Sequence, residues 1–298
     1  MTTYLITGAS GKLGQAVLHH LLDTLRIAPG QIIATSRKPE SLRAVAERGV
    51  TVRTADFDDA ASLPAAFAGA QRVLLISTDS LERPGRRQEQ HERAIAAAEK
   101  AGVQHLIYTS APKPGDNSPL LIAADHAGTE QAIARSSIPG WTILRNHWYF
   151  ENFLFTLPGV FAQGGKWFSA AGDGKLANIS RDDLAYAAAV ALVSTESGRN
   201  TYTLSGSEAH TTAEQAAILS AALDKPIAVI PVPVEGIVQG MVGAGFPEPL
   251  ARALASFDTN TAAGRVAEVT GDYQRLTGKA PQRFADWVQA NKALLSGN

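Results

Sequence analysis

Three glycines near the amino end, Gly8, Gly11 and Gly14, follow one another at steps of three residues. They stand between the apolar run Tyr4–Thr7 and a stretch of helical character that continues to Leu22. Glycine lets the backbone approach a pyrophosphate without a Cβ in the way, and the first turn of a helix supplies N–H donors and a positive dipole. An ordinary glycine-rich turn is the alternative, but the strands and helices that follow favour a dinucleotide site. The residues expected to contact the cofactor at this turn are Thr7, Gly8, Ser10, Gly11, Lys12, Leu13 and Gly14.

The second predicted strand ends at Arg37, where an NAD-specific protein would place an acid against the ribose 2′-hydroxyl. Arg37 followed by Lys38 instead offers a guanidinium and an ammonium to a 2′-phosphate. The alternative is a pair of solvated charges after a strand. We therefore predict NADP, used as NADPH, as the cofactor.

Polar residues also follow the next three predicted strands. After the third strand, Asp56 can accept from the adenine amino group and Phe57 can pack beside the ring, while Asp58 or Asp59 is expected to cap a helix.

Ser77 and Thr78 follow the fourth strand and Thr109 follows the fifth. Ligands lie outside the carboxyl ends of strands in an open parallel sheet, so these hydroxyls are expected to face the cofactor. Each of them can alternatively be a turn residue.

The elements that must position these residues are short aliphatic or β-branched runs alternating with stretches of helical length. This alternation predicts βαβ units and an α/β fold with a doubly wound parallel sheet of the Rossmann type. Residues 1–150 are predicted to form an NADP-binding domain. Residues 151–298 are predicted to form mainly a smaller α/β substrate lobe, with some segments returning to the sheet. The predicted strands of the first part are Tyr4–Thr7, Gln31–Thr35, Val50–Thr54, Arg72–Ser77, His105–Thr109 and Trp141–Arg145.

The second half is predicted to contain helices and two further strands. Thr211 or Thr212 is expected to cap one of the helices. The helices are Arg181–Ser194, a helix ending at Leu223 and Pro281–Leu295, and the strands are Asn200–Leu204 and Pro226–Pro233.

The composition of the 298 residues excludes several classes of function. With 27 basic against 28 acidic residues, no charge bias indicates nucleic acid or an anionic membrane as a partner. The chain has no cysteine, so thiolate zinc sites, iron–sulfur clusters and cysteine nucleophiles are excluded, and the histidine spacing suggests no metal site. The amino end resembles no secretory signal and no apolar run reaches a membrane span, so we expect a cytoplasmic protein.

Seven segments together resemble the NmrA-like group of atypical short-chain dehydrogenases, in particular its bacterial NAD(P)H:quinone oxidoreductases and triphenylmethane reductases. The resemblance covers nearly the whole chain. It implies that Leu144–Asn152 lines the nicotinamide and substrate cavity. The segments are ITGASGKLG, SRKP, TADFDD, LLIST, YTSAP, LRNHWYFEN and TGKAPQRFADWV.

The usual acid–base pair of short-chain dehydrogenases, a Tyr with a Lys four residues later, is absent. Tyr108 is followed at that spacing by Pro112 and Tyr149 by Phe153. Alcohol oxidation and sugar epimerisation are therefore disfavoured. Direct hydride transfer to an electron-poor quinone or similar conjugated aromatic acceptor needs less acid–base power, because the protein mainly positions the reactants and excludes water.

The resemblance implies three catalytic residues, His126, Tyr149 and Asn146. His126, with Glu130 one helical turn later, is a candidate proton donor or orienting group, although a lone histidine is often structural. Asn146 can hold the nicotinamide amide or a quinone oxygen. Nine of the twenty aromatic residues lie between Trp141 and Phe168, and they can wall a flat pocket or fill a seam between two lobes. The predicted substrate contacts are His126, Trp148, Tyr149 and Phe150.

Two other functions stay open at this point. NmrA-like relatives include sensors that bind the dinucleotide without turnover, and reduction of a carbon–carbon double bond would favour a lysine where His126 stands. The expected partner is a small aromatic or quinone substrate, and a homo-oligomer is left open.

Overall fold

The computed structural model of this chain describes residues 2–81, 83–115 and 117–296. Its strands alternate with helices along the first two hundred residues. In chain order the strands are β1 Tyr4–Ile6, β2 Ile32–Ser36, β3 Thr51–Thr54, β4 Arg72–Leu75, β5 His105–Ser110, β6 Gly140–Asn146, β7 Lys166–Ser169, β8 Lys175–Leu176, β9 Arg199–Leu204, β10 His210–Thr211 and β11 Ala228–Pro231. The α-helices are α1 Lys12–His19, α2 Arg43–Ala46, α3 Leu63–Phe67, α4 Arg86–Lys100, α5 Ala123–Arg135, α6 Phe153–Ala162, α7 Arg181–Val193, α8 Thr212–Leu223, α9 Val234–Gly243, α10 Glu248–Ala262, α11 Asp272–Thr277, α12 Phe284–Ala290 and α13 Lys292–Leu295.

Seven of the strands form one parallel sheet in the order β3-β2-β1-β4-β5-β6-β9. The strand order reverses between β1 and β4, which pair through Tyr4 with Arg72 and Leu5 with Val73. A crevice opens at the carboxyl ends of the strands at such a switch point, and there a dinucleotide binds in this kind of fold. The sheet confirms the predicted Rossmann fold class.

The sheet is buried on both faces, as parallel sheets with helices on each side must be. Ile6 on one face packs with the apolar sides of α1 and α7, and the neighbouring Leu5 on the other face packs with α3, α4 and α5. Successive side chains of a strand point to opposite faces, so one short strand anchors both helical layers.

Part of the second half of the chain returns to this sheet. Strand β9 pairs in parallel with β6, for example Leu144 with Tyr202, and α7 packs against α1. This finding places the predicted strand Asn200–Leu204 in the main sheet, although the division of the chain at residue 150 stays a prediction. The predicted helix Pro281–Leu295 is two helices, α12 and α13, separated at Asn291.

The other segments after residue 150 form a second cluster with its own aromatic core. Two small sheets, β7 with β11 and β8 with β10, lie there. Thr211 caps α8 through a capping box with Glu214, as the sequence predicted for this helix. Phe153, Phe284 and Trp287 form the centre of the core. No helix of the described ranges is long and apolar enough to span a bilayer.

Candidate active site

The turn between β1 and α1 has the geometry of a phosphate-binding loop. Gly8 has φ +58°, a left-handed conformation that favours glycine, and Gly11 stands at the N-cap of α1. A Cβ on Gly14 would lie 2.4 Å from the carbonyl oxygen of Gly8 and 2.7 Å from Cα of Ala9, so α1 and the turn before it are too close for any side chain there. The turn therefore presents bare backbone and a helix N-terminus to an anion.

A cleft of about 340 Å³ extends from this turn across the ends of β2, β3 and β4. Eleven of the residues predicted to bind the cofactor line it. They are Gly8, Ser10, Gly11, Lys12, Leu13, Gly14, Arg37, Asp56, Phe57, Ser77 and Thr78.

Four other predicted cofactor residues do not line this cleft. The Thr7 hydroxyl accepts the N–H of Ile76 at 3.0 Å and so connects β1 to β4, which is a supporting role. Lys38 is exposed, and its backbone N–H donates to the Ser36 hydroxyl at 3.0 Å. Thr109 and Asn146 line a neighbouring cavity instead.

Polar atoms at the β2 end of the cleft suit a phosphorylated ribose. The hydroxyls of Ser10 and Ser36 are 2.8 Å apart, and the exposed guanidinium of Arg37 lies beside them. A guanidinium with neighbouring hydroxyls matches the donor pattern that phosphate oxygens accept.

Three acidic residues near the β3 end of the cleft, Asp56, Asp58 and Asp59, have different roles. Asp59 caps the next helical turn by accepting the N–H of Ala61, and Asp58 pairs with Arg86. Asp56 accepts the N–H of Asp58 at 3.0 Å and lines the cleft with Phe57.

A second cavity of about 180 Å³ adjoins the cleft. Ser77 and Tyr149 line both spaces. The end of a ligand in the cleft that lies beside these two residues therefore also borders the second cavity. Burial raises the pKa of the Tyr149 hydroxyl, partly offset by a hydrogen bond with Asn146. This hydroxyl therefore stays protonated at neutral pH and can donate a hydrogen bond.

Two aromatic side chains line the second cavity together. The rings of Trp148 and Phe257 lie 3.9 Å apart between centroids, and both residues line the cavity. Phe150, expected to contact substrate, lines neither space. It packs against Phe284 and Trp287 in the aromatic core, so the seam alternative holds for this residue.

Both ring nitrogens of His126 have partners inside the protein. Arg87 donates to Nε2 at 3.2 Å, which places the ring proton on Nδ1, and Nδ1 donates to the Tyr108 hydroxyl at 2.8 Å. Burial and then the charge of Arg87 keep the pKa of His126 well below its ordinary value. Glu130, one turn later, does not contact His126 but forms an ion pair with Arg145. His126 is therefore a neutral acceptor for Arg87, and this arrangement favours the orienting role over proton donation.

A second buried histidine supports the backbone of the cleft. The backbone N–H of Thr78 donates to Nε2 of His91 at 3.0 Å, and Nδ1 of His91 donates to Thr129. Burial, followed by the charge of Arg87, lowers the pKa of His91 to about 3. His91 thus fixes the backbone at the end of β4 rather than reacting.

Several buried polar atoms around the two spaces have no hydrogen-bond partner among the residues that the structure describes. Thr78 Oγ1 lies on the cleft, whereas Arg87 Nε, Asn146 Oδ1 and Asn152 Nδ2 belong to residues of the second cavity. Buried polar atoms are normally paired, so these atoms, together with the glycine cradle, fit a bound dinucleotide and a polar acceptor. No group of three or more metal-ligating side chains occurs among residues 2–81, 83–115 and 117–296.

Sequence reasoning missed Arg87 and the contribution of α10 to this site. Arg87 stands in the charged run RRQEQHER, which looks like a solvated helix face. Its spacing of three and four residues from Gln90 and His91, and of seven from the buried Ala94, was a signal that it lies on the inward face. Phe257, Asn260 and Thr261 of α10 reach the cavity from the far end of the chain, and no local motif marks them.

The profile of a family described as NAD(P)H-binding matches residues 8–195, so the chain belongs to that family. The quinone oxidoreductase 2 of Escherichia coli is 37% identical over 285 residues, which are 95% of this chain and 96% of the relative. Together these similarities confirm the predicted NmrA-like type of short-chain dehydrogenase.

Two solved structures extend the similarity to the whole fold. An NADPH-dependent quinone oxidoreductase from Escherichia coli, complexed with NADPH, superposes with a TM-score of 0.90 at 35% identity, covering 97% of this chain and 99% of the other. The triphenylmethane reductase of Citrobacter, complexed with NADP(H), gives a TM-score of 0.88 at 33% identity, covering 97% and 99%.

Proposed function

We propose that this protein is an NADPH-dependent oxidoreductase that transfers a hydride directly to a quinone or a similar conjugated aromatic acceptor. The observation that carries the proposal is the junction of the two spaces at Ser77 and Tyr149: the cleft with the glycine turn adjoins a small cavity that Trp148 and Phe257 line. The named quinone and triphenylmethane reductases that this chain resembles support the same activity.

The residues of the cleft would hold the dinucleotide by its charged and polar parts. The amides at the start of α1 face the pyrophosphate, Arg37 pairs with the 2′-phosphate, and Asp56 accepts from the adenine. Bound there, the reduced cofactor supplies a hydride at C4 of the nicotinamide. Thr78 Oγ1 and Asn146 Oδ1, which lack partners in the part of the chain that the structure describes, are the groups we assign to the nicotinamide end.

The residues of the second cavity position the acceptor and exclude water. Trp148 lines the cavity beside Phe257, and its indole offers a planar face against which an aromatic acceptor would stack. Tyr149 stays protonated and can donate a hydrogen bond to an acceptor oxygen. Burial of the reacting groups in this cavity strengthens each polar contact, because little solvent screens it.

The experiment is NADPH consumption by the purified protein with a neutral quinone, an azo dye and a cationic triarylmethane dye. NADPH deuterated at C4 should pass its label to an acceptor whose reduced carbon retains it, such as the triarylmethane dye. Turnover with label transfer supports direct reduction. Tight binding of NADPH without turnover of any acceptor would instead favour the sensor function. Loss of the label to solvent through a bound flavin would overturn the direct mechanism. A cytoplasmic location and a homo-oligomer stay predictions.

A further inference from the structure

Arg87 is a buried cation in the second cavity that the proposed function has not yet used. The residue is 6% exposed and lines the cavity, yet its Nε has no hydrogen-bond partner within the described ranges. One terminal nitrogen donates to His126 Nε2 at 3.2 Å. No carboxylate in the part of the chain that the structure describes forms an ion pair with Arg87. A buried charge without an ion-pair partner is costly, so the place of Arg87 beside a cavity needs an explanation.

A chain of hydrogen bonds holds the guanidinium in one position. His126 accepts from Arg87 and donates to the Tyr108 hydroxyl at 2.8 Å, and Tyr108 lies fully buried on β5. His91, 3.3 Å from the same hydroxyl, is in turn fixed by Thr129. Neutral residues make up this chain of contacts, and the carboxylates of Asp125 and Asp79 act on Arg87 from beyond ion-pair distance, so the chain orients the guanidinium without pairing its charge.

We propose that Arg87 binds the acceptor oxygen on which negative charge accumulates during reduction, and that His126 is the positioning residue that holds it there. This inference rests on the proposed reductase function. Hydride addition breaks the C4–H bond of the reduced nicotinamide, which becomes oxidised, and forms a new bond to hydrogen on the quinone. The displaced π electrons then reside on a quinone oxygen, and a proton from water completes the hydroquinone. A fixed cation facing that oxygen stabilises the charge as it develops.

Reduction of a quinone and reduction of a cationic dye should depend differently on Arg87. A quinone gains negative charge on oxygen, whereas a cationic triarylmethane dye becomes neutral when hydride adds to its central carbon. Arg87 should therefore accelerate reduction of carbonyl acceptors and contribute nothing favourable to reduction of a cationic dye. The binding of NADPH should not depend on it, because Arg87 does not line the dinucleotide cleft.

The first experiment compares Arg87→Met with Arg83→Met, a matched loss of charge at an exposed ion pair with Glu89. Circular dichroism and the NADPH dissociation constant establish that each variant is folded. We expect Arg87→Met to lower kcat/KM for a neutral quinone by about 100-fold, the effect of losing one oxyanion donor, with the cationic dye unaffected. Arg87→Lys should recover part of the loss. Equal losses for the quinone and the dye, or weaker NADPH binding, would overturn the proposal.

The second experiment needs no turnover. In the complex with NADP⁺, 4-nitrophenol should bind with its absorbance shifted toward the phenolate, and Arg87→Met should abolish the shift. This measurement also decides the inference if the wild type reduces no acceptor and the proposed function fails. His126→Ala should show the same loss for quinone but not for dye, with partial recovery in His126→Gln, which keeps an acceptor for Arg87. An unchanged nitrophenolate spectrum in Arg87→Met would show that the cation does not face the cavity's ligand.

Discussion

The dinucleotide cleft and the second cavity adjoin each other but are built in different ways. The cleft is formed largely by one turn of main chain and by residues at the ends of neighbouring strands, and its glycines follow each other in the sequence. The cavity is formed by residues at the ends of β5 and β6, by the segments that follow these two strands, and by side chains from α4, α5 and α10. The cleft thus depends on local backbone geometry, whereas the cavity depends on the packing of segments far apart in the chain.

The largest effect is expected from a substitution at Gly14, which should destabilise the turn of the cleft. Gly14→Ala places a Cβ 2.4 Å from the Gly8 carbonyl oxygen, and since backbone surrounds it, the unfolding free energy should fall by about 3 kcal/mol. Gly11→Ala is the matched control, because its Cβ meets the same oxygen at 3.3 Å and its φ is −73°. Chemical denaturation and NADPH titration measure both variants. Equal unfolding free energies for the two variants would show that α1 can move away from the turn.

The next effect tests the phosphate contact within the intact cleft. Arg37→Ala should weaken NADPH binding by roughly 10- to 150-fold, the value of a charge-assisted bond of about 1.5–3 kcal/mol, with NADH nearly unchanged. Lys38→Ala serves as the control because Lys38 does not line the cleft, so it should change either constant little. Calorimetric titration with both cofactors gives the four constants. A common loss for NADPH and NADH in Arg37→Ala contradicts a 2′-phosphate contact.

An effect on pH dependence tests His91, which accepts the backbone N–H of the cleft residue Thr78. Burial lowers the pKa of His91 to about 3 in the folded protein, from an ordinary pKa of 6.5. As the pH falls below 6.5, His91 is therefore protonated in the unfolded chain but stays neutral in the folded chain. Stability is therefore lost with falling pH. Between pH 6 and pH 4, His91→Gln should reduce that slope by about 1 kcal/mol per pH unit. Urea unfolding at several pH values measures it, and identical slopes would mean that His91 titrates alike in both states.

The smallest effect is expected from a comparison of Trp148, which lines the cavity, with Phe150, which lies in the aromatic core. Trp148→Leu removes the flat surface beside Phe257 and should raise the KM for a planar quinone by about fivefold, with stability little changed. Phe150→Leu, two residues later, should do the reverse, lowering the unfolding free energy by about 1 kcal/mol with KM unchanged. Kinetics and denaturation of the two variants together make the test. A raised KM in Phe150→Leu would show that Phe150 contributes to the substrate site.

Features set by short stretches of sequence were predictable. The glycine turn, the alternation of strands and helices and the absence of a Tyr–Lys pair are local patterns, and the bounds of the first six strands lie within two residues of their predicted positions. The Thr211 cap was predictable for the same reason, since a cap needs only its own helix.

The tertiary structure alone decided which side chains meet. Phe150 and Trp148 belong to the same aromatic run, yet the turn after β6 directs one into the core and the other to the cavity. Glu130 pairs with Arg145 rather than His126, and Arg87 emerges from a run of charges to face the site. The sequence determined the fold and the cofactor turn because local backbone preferences specify both. Close packing of segments distant in the chain determined the substrate cavity, and no single stretch of sequence contains that information.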